Sequence, residues 1–259
     1  MSWIFGVFVS IQEIRVIGVP GLPEVVEGDD VASFIVKAVR NASLEVFDRD
    51  IFVIAQKIIS KAEGRTIRLD SIEPSPRARE WAEDFDKDPR LVEVVLRESK
   101  RIVRMERGVL IAETQHGLIC ANAGVDASNV EEHTALLLPE DPDASAGRIQ
   151  KNLEMRFGVS LAVVISDTFG RPWREGLVNV AIGVAGLAPL IDYRGDTDSH
   201  GRPLRVTVIA VADEIASAAE LVMKKKDGVP VAIVRGYDYS AREASARELI
   251  REPGLDLFR

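Results

Sequence analysis

Two aspartates and the residues around them have the types needed for phosphate chemistry. In "VVISDTFGRPWREG" (163–176), three apolar residues lead into Ser166, Asp167 and Thr168, and Arg171 and Arg174 follow closely. In "LICANAGVDASN" (118–129), another apolar run leads to Asp126, with Asn129 three residues on. One aspartate at a strand end is usually a turn former. Two of them beside Thr168 and Asn129 make a set of hard oxygen ligands suited to Mg²⁺ or Mn²⁺. Such a cation neutralises nucleotide phosphates, and arginines could hold further anionic oxygens in bidentate fashion. Spacing alone leaves those arginines equally able to be surface ion-pair partners.

Lysines supply a second candidate set. "QKIISKAEGR" places Lys57 and Lys61 four apart with Ser60 between them. "MKKKDG" (223–228) is a basic turn after a helix, where lysines also complement the helix dipole. Both segments can bind phosphate or simply be solvated edges. Other chemistries find no support. There is no phosphate-binding P-loop, and Gly183 and Gly186 lack the spacing of a dinucleotide fingerprint, which leaves close packing as their reading. His116, His133 and His200 sit in unrelated segments, which argues against zinc.

These groups must be held by elements that the patterning locates. "DIFVIAQKIISKAEGR" (50–65) reads as a buried strand passing into a polar turn, and LAVVIS (161–166) as a strand ending at the first aspartate of interest. RVTVIAVAD (205–213) and PVAIVRG (230–236) read as further strands, and 108–124 as a hairpin about Gln115–Gly117. Helices are expected after Asp29 or Asp30, with Val31, Phe34, Ile35, Ala38 and Val39 inward, and after Ser75-Pro76 and Asp88-Pro89. Others are expected from a cap near Asp143 or Ser145, through Leu221 and Met223, and across 240–251. Mixed strands and helices with hairpin-like turns point to an α+β fold.

The 259 residues suit one large unit with an ample core. We read a single unit over 1–259 with closely packed subdomains, 1–101 plus 207–259 and 102–206. A net charge of −8 argues against nucleic-acid or anionic-membrane binding. The apolar start stops at Gln12, short of the roughly 20 residues of a membrane helix. Trp3, Phe5, Phe8 and Ile11 are therefore read as strand or interface residues. The single cysteine, Cys120, excludes an intrachain disulfide and fits a cytoplasmic protein.

Seven segments, "ISKAEGR" (59–65), "ANAGVDASNV" (121–130), "LLPEDPDASA" (137–146), "ISDTFGRPWREG" (165–176), "NVAIGVAG" (179–186), "VADEIASAAELVM" (211–223) and "GVPVAIVRG" (228–236), occur in this order. Together they resemble the coenzyme F420-0:L-glutamate ligase family. The resemblance implies an α+β fold in an intertwined homodimer. It also implies GTP-dependent addition of L-glutamate, and then of further γ-linked glutamates, to F420-0. Mg²⁺ or Mn²⁺, two per site, would be the cofactors, with K⁺ assisting. By this resemblance Asp126, Asp167 and Thr168 are metal ligands. Leu22, Pro23, Glu24, Val25, Gln56, Lys57, Lys61, Asn129 and the turn Met223, Lys224, Lys225, Lys226, Asp227, Gly228, Val229 are nucleotide contacts. Some relatives place a Glu or Gln ligand in that turn, where this sequence has lysines. Asp126 and Asp167 would be catalytic, with Arg171 as a clamp on anionic substrate. The nitroreductase-like domain that some relatives carry at the C-terminus is not expected here. Competing readings are a metal-dependent nucleotide phosphohydrolase and a non-catalytic GTP-binding relative.

Overall fold

The apolar runs IFVIA, AVVIS and VAIVR become neighbouring strands of one sheet because each is buried on both faces. The computed structural model describes residues 12–127 and 133–257. In chain order its elements are β1 (Arg15–Gly18), α1 (Val31–Asn41), β2 (Ile51–Ala55), α2 (Gln56–Ala62), β3 (Thr66–Arg68), α3 (Pro76–Phe85), α4 (Pro89–Glu98), β4 (Ser99–Glu106), β5 (Val109–Thr114) and β6 (Ile119–Ala121). They continue with β7 (Thr134–Leu136), α5 (Pro142–Phe157), β8 (Ala162–Gly170), β9 (Leu177–Ala185), β10 (Ile191–Asp192), β11 (Val208–Ile209), α6 (Val211–Met223) and β12 (Val231–Arg235).

The main sheet has the order β1-β12-β2-β8-β9, with β2 and β8 parallel and the other neighbours antiparallel. Alternation sends Phe52, Ile54, Val163, Ile165 and Ile233 to one face, under α1, α2 and α5. Ile51, Val53, Ala162, Val164 and Val234 go to the other face, under α6 and the Ala246–Leu249 turn. Burying each such Ile or Val contributes about 1.5–3 kcal/mol. A separate core packs Trp81, Val92 and Val95 of α3 and α4 against Leu110, Ala112, Val125 and Leu137. Mixed and antiparallel sheets with helices make the fold α+β, as the patterning indicates.

Several boundaries differ from the sequence reading. Residues 56–62 are helix α2 rather than a turn, because Ile58, Ile59 and Ala62 recur at helical spacing and pack on the sheet. Helix α5 starts earlier, capped by Asp141 with Pro142 at its first position. Only Val208 and Ile209 of 205–213 are strand, since α6 begins at Val211. The 240–251 segment holds a short 3-10 turn, Ala246–Leu249, capped by Ser245, in place of a longer helix. The residues Trp3, Phe5, Phe8 and Ile11 lie outside the described part of the chain. The expected helices at Val31, Pro76 and Pro89 are present with caps from Asp30, Ser75 and Asp88, and the 108–124 hairpin forms from β5 and β6.

Glu93 ties α4 to the start of α3. Its carboxylate accepts the Ser75 backbone N–H at 3.0 Å and Arg97 Nε at 2.9 Å, and these hydrogen bonds, Ser75's first, lower its pKa to about 2. The folded pKa lies below the ordinary 4.5, so this stabilisation is complete above pH 4.5 and fades as pH falls through about 2. Glu93→Gln is expected to lower stability at pH 7 by about 1–2 kcal/mol. It should also flatten the wild-type decline between pH 4.5 and 2, which urea titrations across that range would measure.

Candidate active site

Strand lengths open the site. The parallel strands β2 and β8 run side by side until Ala55 pairs with Ser166. There β2 turns into α2, while β8 continues to Gly170 along β9. Asp167 and Thr168 thus lie within the strand, not at its end as the sequence suggests, and they have β9 on one side only. The edge that β2 vacates borders a cavity of about 350 Å³. Its walls are Leu22–Val25 before α1, Gln56, Lys57 and Lys61 of α2, Ser166–Thr168 of β8, Met223 at the end of α6, and Lys224, Lys225 and Gly228–Pro230 after it.

Most residues expected from the sequence meet in this cavity. Leu22, Pro23, Glu24, Val25, Gln56, Lys57, Lys61, Asp167, Thr168, Met223, Lys224, Lys225, Gly228 and Val229 all line it. Asp126 stands just behind, with Lys57 Nζ 2.5 Å from its Oδ2. Lys61 pairs with Glu24 across the mouth. Lys226 and Asp227 are outside the lining, and Asp227 pairs with Lys224 at 3.3 Å. Arg171 lies at the β8–β9 turn, where its guanidinium donates to the Glu175 and Gly176 carbonyls and does not reach the cavity wall. Asn129 falls outside the described residues.

Burial is the main cause that pushes the Asp167 carboxyl up to about 6. The Asp126 charge adds to it, while the Thr168 N–H, Lys225 and Lys57 act in the opposite sense. Cys120 lies near enough to sense that charge. Burial first, then Asp167, pushes its thiol up to about 12, so it is no nucleophile at neutral pH. Gln56 is buried and accepts the Ser60 hydroxyl at 2.7 Å, which fixes the start of α2 beside the lysines.

Three polar cavity residues escape the sequence reading: Ser166, Asn179 and Glu220. Asn179 is a buried amide in the apolar strand LVNVAIGVA, and Glu220 is an acid in the last turn of an apolar helix, where the dipole disfavours it. Those two mismatches were the available signal. Ser166 is 2% exposed and its Oγ has no hydrogen-bond partner. A buried hydroxyl left unsatisfied costs about 1–3 kcal/mol, and this one borders the cavity. Ser166→Ala is expected to raise Tm by a few degrees and to weaken ligand binding several-fold. Thermal melts and substrate KM would be compared.

The family description F420-0:Gamma-glutamyl ligase matches residues 21–236, which span every wall of this cavity. The chain belongs to that family. Coenzyme F420:L-glutamate ligase of Methanothermobacter thermautotrophicus is 49% identical, covering 95% of this chain and 99% of its own length. The protein of the same name from Methanopyrus kandleri is 46% identical over 96% of this chain and 99% of its own. That of Archaeoglobus fulgidus is 42% identical over 96% and 97%. Such likeness over whole chains includes the cavity-forming segments, not the sheet alone. Among the described residues no helix is long and apolar enough to cross a membrane.

Proposed function

We propose that this chain, as a member of the ligase family, joins L-glutamate to the carboxylate of F420-0 in a GTP-dependent reaction and then adds further γ-linked glutamates. The observation carrying this reading is one cavity that combines Asp167 with Lys57, Lys61, Lys224 and Lys225, with the Asp126 carboxylate behind it on Lys57. That pairing of charges suits a triphosphate held together with a cation.

The donor set fits Mg²⁺ or Mn²⁺. Asp126, Asp167 and Thr168 offer hard oxygens, and the two carboxylates raise one another's energy in the absence of a cation. Among the described residues no three Asp, Glu, His or Cys side chains converge as a closed metal cage. Ligand phosphates would complete the shell, as is usual for Mg²⁺. When bound, the cation neutralises phosphate charge during transfer.

The protein's own part is positioning. Lys57 and Lys61 exchange Asp126 and Glu24 for phosphate oxygens, and Ser166 gives its hydroxyl to the ligand. An F420-0 carboxylate oxygen attacks the γ-phosphorus, GDP leaves, and an acyl phosphate results. The glutamate amine then attacks the acyl carbon. Phosphate departs with the C–O electron pair, and the amine loses a proton to solvent or a side-chain base. Holding both reactants in line supplies most of the acceleration.

Mass spectrometry of F420-0 incubated with the protein, L-glutamate, GTP and Mg²⁺ or Mn²⁺ tests this. A ladder of added glutamyl units is expected, and none without glutamate. GTP hydrolysis indifferent to glutamate would point instead to a phosphohydrolase, and GTP binding without product to a non-catalytic relative.

A further inference from the structure

A chain of three polar side chains leads from the cavity into α6. Thr168 Oγ1 donates to Asn179 Oδ1 at 2.8 Å, and Asn179 Nδ2 donates to Glu220 Oε2 at 3.0 Å. Thr168 and Asn179 are cross-strand partners in β8 and β9. Helix α6 holds Asn179 a second time, because Ser217 Oγ donates to the Asn179 carbonyl at 2.8 Å. Ser217 and Glu220 are three apart and so share one helical face.

The direction of each bond follows from chemistry. A carboxylate only accepts, so the amide must turn its NH₂ to Glu220 and its oxygen to Thr168. The threonine has one proton, and Asn179 takes it. Its oxygen lone pairs are then all that remains for the cavity, which is what a cation requires. Asn179 is 5% exposed and has little freedom to turn otherwise. Glu220 occupies the last turn of α6, where the partial negative charge of the helix end disfavours an acid. Its placement there is explained by the partner it holds.

We infer that Asn179 and Glu220 are positioning residues that fix the Thr168 hydroxyl as an acceptor facing the cavity and thereby set the affinity for a divalent cation. This rests on the cation-site reading proposed above. In metal sites, outer partners of this kind change affinity about 10- to 100-fold when removed.

The test is Mn²⁺ binding to the full chain by electron paramagnetic resonance, with Mn²⁺ alone and with Mn²⁺ plus GDP, and thermal melts as a fold control. Glu220→Ala is expected to weaken Mn²⁺ binding about 10-fold. Glu220→Gln should stay within about threefold of wild type, because its amide oxygen accepts the same Asn179 N–H. Thr168→Val, which removes the oxygen itself, should lose at least as much as Glu220→Ala. Mn²⁺ affinity unchanged in folded Glu220→Ala would overturn the inference while leaving the cation site standing. So would an equal loss in Glu220→Gln and Glu220→Ala, since Glu220 would then act through its charge, as a ligand or a base. Wild-type protein that binds no Mn²⁺ under either condition would overturn the cation-site reading along with it.

Discussion

Asp167→Asn is expected to lower the ligase turnover roughly 10²- to 10³-fold while leaving the fold intact or slightly more stable. The two effects have one origin. Asp167 is held beside Asp126 at a strand edge where burial opposes its ionisation, and this pushes its pKa up to about 6. At pH 7 the folded protein therefore carries a charge it would be more stable without. Asparagine keeps the shape and removes the charge, so Tm without metal should stay level or rise by a few degrees. On the reading proposed above, the same substitution removes an anionic ligand for the cation that would neutralise phosphate charge, and losing one such electrostatic partner commonly costs this much rate. Steady-state turnover and melting curves on one preparation would check both signs. Turnover within threefold of wild type would remove Asp167 from the reaction. A large fall in Tm would make it a structural residue instead.

Which parts of this site can be read from the sequence follows from how local their cause is. Lys57, Lys61, Asp167 and Thr168 stand out because polar residues interrupt apolar runs, and that mark needs no tertiary information. Their common cavity depends on β2 stopping at Ala55 while β8 runs on to Gly170, a difference in strand length set by α2. Residues 56–62 satisfy both a strand-then-turn pattern and a helical one, and packing of Ile58 and Ile59 on the sheet decides for the helix. Asn179 and Glu220 are 41 residues apart and meet only because α6 lies across β9. No local pattern predicts that contact. Arg171 shows the converse: closeness to Asp167 in sequence does not bring it to the cavity, because the extended strand carries it away to the hairpin turn. The α+β class was legible from the alternation of runs, whereas the strand order β1-β12-β2-β8-β9 joins both ends of the chain and was not.

Gly183→Ala is expected to destabilise the protein by about 3 kcal/mol, with Tm lower by roughly 6–12 °C. The sequence already reads this glycine as a packing residue, since "IGVAG" lacks the spacing of a dinucleotide fingerprint. Its surroundings show a packing role. A Cβ on Gly183 would lie 2.5 Å from the backbone carbon and oxygen of Pro142, the first residue of α5. Backbone cannot swing aside as a side chain can, so α5 would have to lift from β9. The adjacent contacts would go with it. Asp143 accepts the N–H groups of Val184 and Ala246, both through Oδ1, and the Ser245 hydroxyl through Oδ2. One aspartate at the start of α5 thus joins the sheet to the C-terminal segment, and Gly183 lets the helix come close enough for it to do so. The lining of the cavity does not include Gly183. At temperatures where the variant remains folded, the nucleotide binding proposed above should therefore stay close to wild type while thermal and urea denaturation both shift. A variant of normal stability that fails to bind nucleotide would assign Gly183 to the ligand and not to the helix.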